Sequence, residues 1–387
     1  MPTEKIVALD IGSSSLKAVE ATVKKGSIKF SRIYTLPMDA EIVSSGKIVS
    51  PELLENAIRR LWRIGRFSTR NVAILAAGNE STRHSVISEL PYAKYHADFK
   101  RILPFELAKK PQIAQWYGEG KDYYVDAYVL DQTVTRTKEI LLKALVTFLP
   151  RKYVDSLVKV VESAKLLPIK MDTLPFALIR AYVDAAGENF DPNEIVVAIE
   201  LGASAMNVTI HKNSQPIYIY TLQKVGGRYL SDLIAQQLQI TYAQAEYLKL
   251  AISSTDEERA TLASTMITTS DEARTYTMAD FTPEQIEGAK VIIRQHVSNL
   301  IQTLQRILQK VSVDLHDDED FNRIVVSGGS AKLYGFVPRL ASQLEIQAEI
   351  LNPFQNVKLP RVKGAVGENL QAYTGLFGLL VEQNRNG

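Results

Sequence analysis

Near the start of the chain the stretch IVALDIGSSSLKAVE, residues 6–20, sets an acid, small hydroxyl residues and a base in close succession. Asp10 ends an apolar run, Gly12, Ser13, Ser14 and Ser15 make a turn, and Lys17 lies on the run that returns. Glycine lets the backbone turn tightly, so that successive N–H groups point into one concavity, and the serine hydroxyls add donors. Such a nest suits phosphate oxygens, Asp10 suits a hydrated magnesium ion, and the Lys17 ammonium suits outer phosphates. The plain alternative is a Gly-Ser turn with no ligand, and on this stretch alone it stays open.

Three further stretches bear on the choice. IVVAIELGASAMNVTIH, from residue 195, repeats the first stretch, with Glu200, Gly202 and Ser204 in the places of Asp10, Gly12 and Ser14. Its turn, Gly202-Ala203-Ser204, supplies a second nest. VGGRYLSDLIAQQL places Gly226 and Gly227 at a helix start, where free N–H groups and the helix dipole favour anions. RIVVSGGSAKLYGF runs a buried strand into Gly328, Gly329 and Ser330, so that a planar base or a ribose can pass close to the backbone. Each of these alone reads equally as a cap or a tight turn.

The elements that must hold these turns follow from periodicity. Each copy of the repeat is an apolar run, a turn, a second run and then a third, SIKFSRIYTL or QPIYIYTL, which reads as a three-stranded meander. Helical patterns follow: SPELLENAIRRLWRIG, with Ser50 as N-cap and Pro51 at the first position, and GGRYLSDLIAQQL. Two such halves predict a bilobed α/β molecule with a cleft between the lobes. Residues 86–166 read as an inserted α/β subdomain with strands in YYVDAYVL and EILLKALVTFL and a helix burying Val154, Leu157, Val158 and Val161. Its aromatics Tyr92, Tyr95, Phe99, Phe105, Trp116 and Tyr117 suit either a peptide groove or the subdomain's own core. Arg59, Arg60, Arg63, Arg66 and Arg70 read as a solvated helix face. The Ser/Thr-rich residues 251–282 predict a small, partly irregular subdomain.

Composition narrows the function classes. The chain has 387 residues, 46% hydrophobic and 23% charged, enough for two core-bearing halves. Its net charge of +2 gives no reason to expect a nucleic-acid partner. The absence of cysteine excludes disulfides, thiolate zinc sites and cysteine nucleophiles. The N-terminus lacks the apolar core of a signal peptide, and no apolar run approaches the ~18 residues of a membrane span. A cytoplasmic protein is expected.

Taken in order, DIGSSSLK, ELGAS, VGGRYL with AEYLK downstream, and VVSGGSAKLYGF resemble the phosphate-1, phosphate-2, connecting and adenosine motifs of the actin-like ATPases. Within that superfamily, DIGSSSLKAVE, the insert ending VESAKLLPIKMDTLPFALIRAY, and LNPFQNVKLP followed by GLFGLLVEQ resemble the PilM family of type IV pilus assembly proteins. FtsA, a cell-division relative, is similar in the position of its extra subdomain but ends in an amphipathic membrane helix, where this chain stops at EQNRNG.

The resemblance implies a bilobed, duplicated ribonuclease H-like ATPase fold of the α/β class with an FtsA/PilM-type (SHS2) inserted subdomain. Lobe I would span 1–193, with subdomain 1A and the insert 1C at about 86–166. Lobe II would span 194–345, with subdomains 2A and 2B, the latter at about 251–285, and residues 346–387 would return to lobe I. ATP with Mg2+ would sit between the lobes: Asp10 and Glu200 on the hydrated metal, Gly12 to Ser15 (with Ser13 and Ser14) and Lys17 on phosphates, and Gly202, Ala203 and Ser204 on their far side. Gly226 and Gly227 would lie near ribose and phosphates, Glu246 and Lys249 near the adenosine, and Gly328, Gly329 and Ser330 beside the base. The implied partners are the N-terminal cytoplasmic peptide of a PilN-like inner-membrane protein, docked beside the insert, and other pilus assembly components. The membrane would be reached only through the partner, and homo-oligomers stay open.

Two departures from the superfamily pattern concern hydrolysis. Position 200 is Glu where Asp is usual, and Leu174 stands where chaperone-type relatives have a Glu before the Pro of the interlobe helix. At most a slow ATPase is expected. Asp10, Glu200 and Asp172 are the candidate catalytic carboxylates. The competing readings are an FtsA-like filament former and a sugar or carboxylate kinase, for which Asp172 is the nearest base.

Overall fold

Ile6, Val7, Ala8 and Leu9 have no exposed surface, and this run buried on both faces makes β1 (Glu4–Ile11) the central strand of a five-stranded sheet. The computed structural model describes residues 4–24, 27–39, 41–44, 46–77, 82–92, 96–117, 122–254, 276–315, 319–359 and 369–385. The sheet order is β10-β6-β1-β2-β3, with β2 Ser15–Lys24, β3 Ser27–Pro37, β6 Asn71–Ala76 and β10 Leu167–Thr173. β1, β2 and β3 form an antiparallel meander, and β6 and β10 lie parallel to β1. A two-stranded ribbon, β4 (Val43–Ser44) and β5 (Lys47–Ile48), precedes α1 (Pro51–Gly65). In α1, Pro51 opens the helix, but the Ser50 side chain makes no cap hydrogen bond. The arginines at 59, 60, 63, 66 and 70 are exposed, and Arg59 pairs with Glu55 at 2.6 Å.

The second sheet repeats the first. Its order is β13-β12-β11-β14-β15, with β11 Ile195–Leu201, β12 Ala205–Lys212, β13 Gln215–Gln223, β14 Phe321–Ser327 and β15 Gln347–Ile350. Again three strands form an antiparallel meander and two run parallel to its first member. Helices α6 (Gly227–Leu238), α7 (Tyr242–Ser253), α8 (Pro283–Ser312) and α9 (Phe336–Leu344) cover it through one apolar cluster. The Thr282–Gln285 capping box and Pro283 fix the start of α8.

A second apolar cluster joins the two sheets. It holds Ile6, Ala8 and Val19 from the first, Val196, Ala198 and Val325 from the second, and the inner faces of α5 (Leu174–Ala186) and α10 (Thr374–Arg385). At the α5–α10 crossing, a Cβ on Gly378 would be driven into the carbonyl of Ala177. Glycine is required there because the two backbones meet.

The contacts divide the chain into two compact units, Met1–Ala77 with Val161–Gly387, and Gly78–Val160. The second unit has a three-stranded antiparallel sheet of order β7-β9-β8 (β7 Arg83–Pro91, β8 Tyr123–Val134, β9 Ile140–Pro150), with α2 (His96–Ala108) and α3 (Pro111–Tyr117). The aromatics divide: Phe99 and Tyr117 lie in its core with Phe148, while Tyr92 and Phe105 are exposed. Tyr95 and the Trp116 side chain lie outside the described residues. The buried stripe of α4 (Arg151–Ser163) is Tyr153, Leu157, Val160 and Val161, and Val154 and Val158 are only half-buried. The large Tyr153 ring turns the buried face by about one position from the valine spacing. Of the segment expected as an irregular subdomain, residues 255–275 lie outside the described residues. Among the described residues no helix is long and apolar enough to cross a membrane.

His211 on β12 is 1% exposed, its ring 5.4 Å from that of Tyr182 on α5, and among the described residues neither ring nitrogen has a hydrogen-bond partner. Burial pushes its pKa down to about 3.

Two predictions follow from these contacts. Gly378→Ala should destabilise the protein by ~1–3 kcal/mol, the usual penalty of overpacking, read as a lower urea midpoint with an unchanged slope. The unfolded His211, with a pKa of about 6.5, binds a proton that the folded protein refuses. Its neutral burial therefore carries no protonation penalty above about pH 6.5, and stability falls as the pH drops from there toward 3. His211→Phe should lose less of its urea midpoint between pH 7 and pH 5 than the unmutated chain does; an equal loss would assign the acid sensitivity elsewhere.

Candidate functional site

The two turns are built alike. Gly12 N–H donates to the Ser15 carbonyl at 3.2 Å, and Gly202 N–H donates to Ala205 at 2.9 Å. The Ser14 carbonyl accepts from Met38 N–H and the Ser204 carbonyl from Lys224 N–H, each at 2.9 Å. Antiparallel register then sets the chemistry beneath each turn, with Asp10 opposite Lys17 and Glu200 opposite Asn207. Lys17 Nζ lies 3.0 Å from Asp10 Oδ2. Asn207 Nδ2 donates to Glu200 Oε2 at 2.9 Å, while its own Oδ1 accepts from Thr221.

The turns meet. Ser13 Oγ donates to Ser204 Oγ at 3.2 Å, and Arg228 Nη2 of α6 donates to the Ser13 carbonyl at 2.9 Å. Ser13 and Ser15 are buried and Ser14 is exposed. Burial works against the Lys17 ammonium, but Asp10 beside it and Glu200 outweigh that and hold its pKa above the ordinary value. Burial pushes the Glu200 carboxyl up to about 7, against the Asn207 hydrogen bond and the Lys17 charge, with Asp10 adding to the rise.

Behind the second turn the backbone is close-packed. The first N–H groups of α6, Gly227 and Arg228, donate to the carbonyls of Gly202 and Ala203 at 2.9 and 2.8 Å. These donors therefore hold helix to turn, and a Cβ on Gly226 would stand 2.5 Å from the Ala203 carbonyl. Lys249 of α7 donates to the Gly227 carbonyl at 3.0 Å and to Glu246 at 2.7 Å. Glu246 also accepts from Ser231 at 2.6 Å. Burial disfavours its charge, but Lys249, Ser231 and Tyr242 hold its pKa below the usual carboxylate range.

The third glycine segment differs along its length. Gly328 has a φ of +93°, and a side chain there would strike the Leu201 carbonyl and the Glu200 carboxylate. One residue on, a Cβ at Gly329 would meet nothing within 4 Å among the described residues, so this backbone faces open space. Ser330 Oγ lies 3.3 Å from the Gly202 carbonyl. The glycine segment, both turns and both carboxylates thus converge on one place.

Asp172 stands at the same end of the first sheet, in line with Leu75 and Asp10, two strands away or ~10 Å. It pairs with Arg180, which also donates to the Gly378 carbonyl, so that it ties α5 to α10. Leu174 is buried in the shared core. Two polar residues at the site were not singled out from sequence, Asn207 and Arg228. Asn207 stands in the repeat where Lys17 stands, so carrying the alignment of the copies three residues further would have found it. Nothing in the sequence gives the direction of the Arg228 side chain.

The arrangement offers two backbone nests, two carboxylates, Lys17 and Arg228, with open space beside Gly329, and can receive a polyanion with a flat group at one end. No curated protein matches the chain by sequence. Among solved structures, the PilM-PilN type IV pilus biogenesis complex superposes with a TM-score of 0.75 at 19% identity, covering 99% of each chain. The ethanolamine utilization protein EutJ from Carboxydothermus hydrogenoformans follows at 0.52 and 12% identity, over 98% of this chain and 90% of that one. MreB5 of Spiroplasma citri bound to ADP gives 0.50 at 10% identity, over 99% and 97%. The fold is therefore that of the actin-like ATPases. The family model described as Type IV pilus assembly protein PilM matches residues 8–91 and 121–268, more than half of the length, and the chain accordingly belongs to the PilM family of type IV pilus assembly proteins.

Proposed function

We propose that this PilM-family chain is a cytoplasmic pilus-assembly protein that binds ATP with magnesium where the two turns converge. It docks the N-terminal cytoplasmic peptide of a PilN-like inner-membrane protein, and the nucleotide biases its conformation and its affinity for that peptide. The observation that carries the nucleotide reading is the pairing of like turns, each with an acid beneath it, beside the open backbone of Gly329. The donor set fits the metal. Among the described residues no group of three or more His, Cys, Asp and Glu could hold an ion directly, whereas two carboxylates suit magnesium, which keeps most of its waters. Asp10 and Glu200 would hold it through water, where it would offset phosphate charge. Lys17 would turn from Asp10 toward the phosphates, and the nests would supply N–H donors. Turnover should be slow, because the buried Leu174 brings no polar atom to orient a water.

Support for the partner comes from the family and from the solved relative, which is a complex of PilM with PilN. The second unit exposes Tyr92, Phe105, Tyr124 and Tyr128, side chains of the kind that anchor interfaces.

ATP with magnesium should raise the melting temperature, since a ligand at a hundred times its Kd adds about 2.7 kcal/mol to native stability. Lys17→Ala should shrink the rise by removing phosphate charge, and Gly329→Trp should abolish it by filling the open space. No shift and no calorimetric heat in the unmutated protein would end the nucleotide reading. In flotation with liposomes the protein should stay below, and a membrane-anchored PilN-like peptide should carry it up. Flotation without the peptide would point instead to an anchor of the FtsA kind.

A further inference from the structure

Among the described residues, Arg228 is the one side chain that joins the two turns from a helix. It stands in the first turn of α6, directly after Gly226 and Gly227, and its guanidinium reaches from the second half of the repeat to the Ser13 carbonyl in the first. One end of the fork is engaged there, at 2.9 Å. Its Nε is buried and, among the described residues, has no hydrogen-bond partner. A buried donor left unmatched is unfavourable, and a guanidinium is most stable with both edges of its fork on one planar or tetrahedral anion. Among the described residues no carboxylate forms an ion pair with it. The Tyr242 ring lies 5.8 Å away, Asp232 one turn on feels its charge, and Glu246 is already held by Lys249, Ser231 and Tyr242. What Arg228 does touch is Ser13, whose hydroxyl closes the two turns on each other at 3.2 Å.

We infer that Arg228 is a polyphosphate ligand of this site, exchanging the neutral Ser13 carbonyl for phosphate oxygens when the turns part around the phosphate chain. This rests on the nucleotide reading above and deepens it. The carbonyl is a one-point neutral acceptor, whereas a phosphate accepts from both Nε and Nη2 with charge assistance, about twice as strongly per bond. Arg228 therefore favours the part of a nucleotide that carries charge and is indifferent to the base. The same exchange frees the Ser13 carbonyl and removes the arginine's link between the turns, so the arginine reports phosphate occupancy in one half of the repeat to the other.

The test is calorimetric titration of ATP with magnesium, and separately of adenosine, into the full chain and its Arg228→Ala, Arg228→Lys and Lys17→Ala variants. Arg228→Ala should weaken ATP at least tenfold, equivalent to about 1.4 kcal/mol, and leave adenosine within twofold. Arg228→Lys should fall between, keeping charge without the fork, and serves if the alanine variant does not fold. A merely structural arginine would shift adenosine and ATP together, and that outcome overturns the inference. So does ATP affinity unchanged in Arg228→Ala while Lys17→Ala loses it, which leaves the nucleotide reading standing. If the unmutated protein takes up neither ligand, the nucleotide reading fails and this inference with it.

Discussion

Everything at the site depends on strand register. Side chains on a strand alternate faces, so a slip of one residue between β1 and β2 would move Lys17 from the Asp10 carboxylate to the opposite face of the sheet. The apolar neighbours resist the slip: Ala8, Leu9, Leu16 and Ala18 have no exposed surface, and a shifted register would exchange large and small side chains between two close-packed faces. The second copy is pinned in the same way by Val197, Ile199, Met206 and Val208 around Glu200 and Asn207. Hydrophobic burial, with no directional chemistry of its own, thus fixes the polar geometry to within a hydrogen bond.

Symmetry of backbone does not extend to charge. Beneath the first turn an acid is neutralised by a lysine; beneath the second, an acid is matched by an amide. The amide leaves Glu200 without a full counter-charge, and burial then pushes its pKa up to about 7, while Asp10 is held in an ion pair at 3.0 Å. Duplicated scaffolds can diverge in this manner because the turn needs only its backbone hydrogen bonds, and the opposing strand position is free to change.

Much of this was legible in the sequence because it is local. The repeat, the acid-turn-strand units, the glycine pairs and the Pro51 helix start all depend on residues a few positions apart, and chain order alone brings them into view. What sequence did not give depends on direction or on distant partners. The first N–H groups of α6 meet the carbonyls of Gly202 and Ala203, a pairing set by how the helix packs and not by the glycines that precede it. Phe99 and Phe105 lie on one helix, yet one is core and the other exposed, because six residues turn the helix by about 120° relative to a sheet two of whose three strands lie later in the chain. On α4 the tyrosine at 153 displaced two valines from the buried face for a reason of size that periodicity does not weigh.

The crossing of α5 and α10 has a mechanical consequence. Because backbone meets backbone at Ala177 and Gly378, and Gly375 lies against Leu174 and Leu75, the two helices approach closely, and the large side chains of Leu178, Tyr182, Phe377 and Leu380 pack in the same apolar cluster. Arg180, bonded to the Gly378 carbonyl and to Asp172, ties this crossing to the edge strand of the first sheet. The seam is therefore held by backbone proximity and apolar packing at once, and parting it would wet the core that both sheets share.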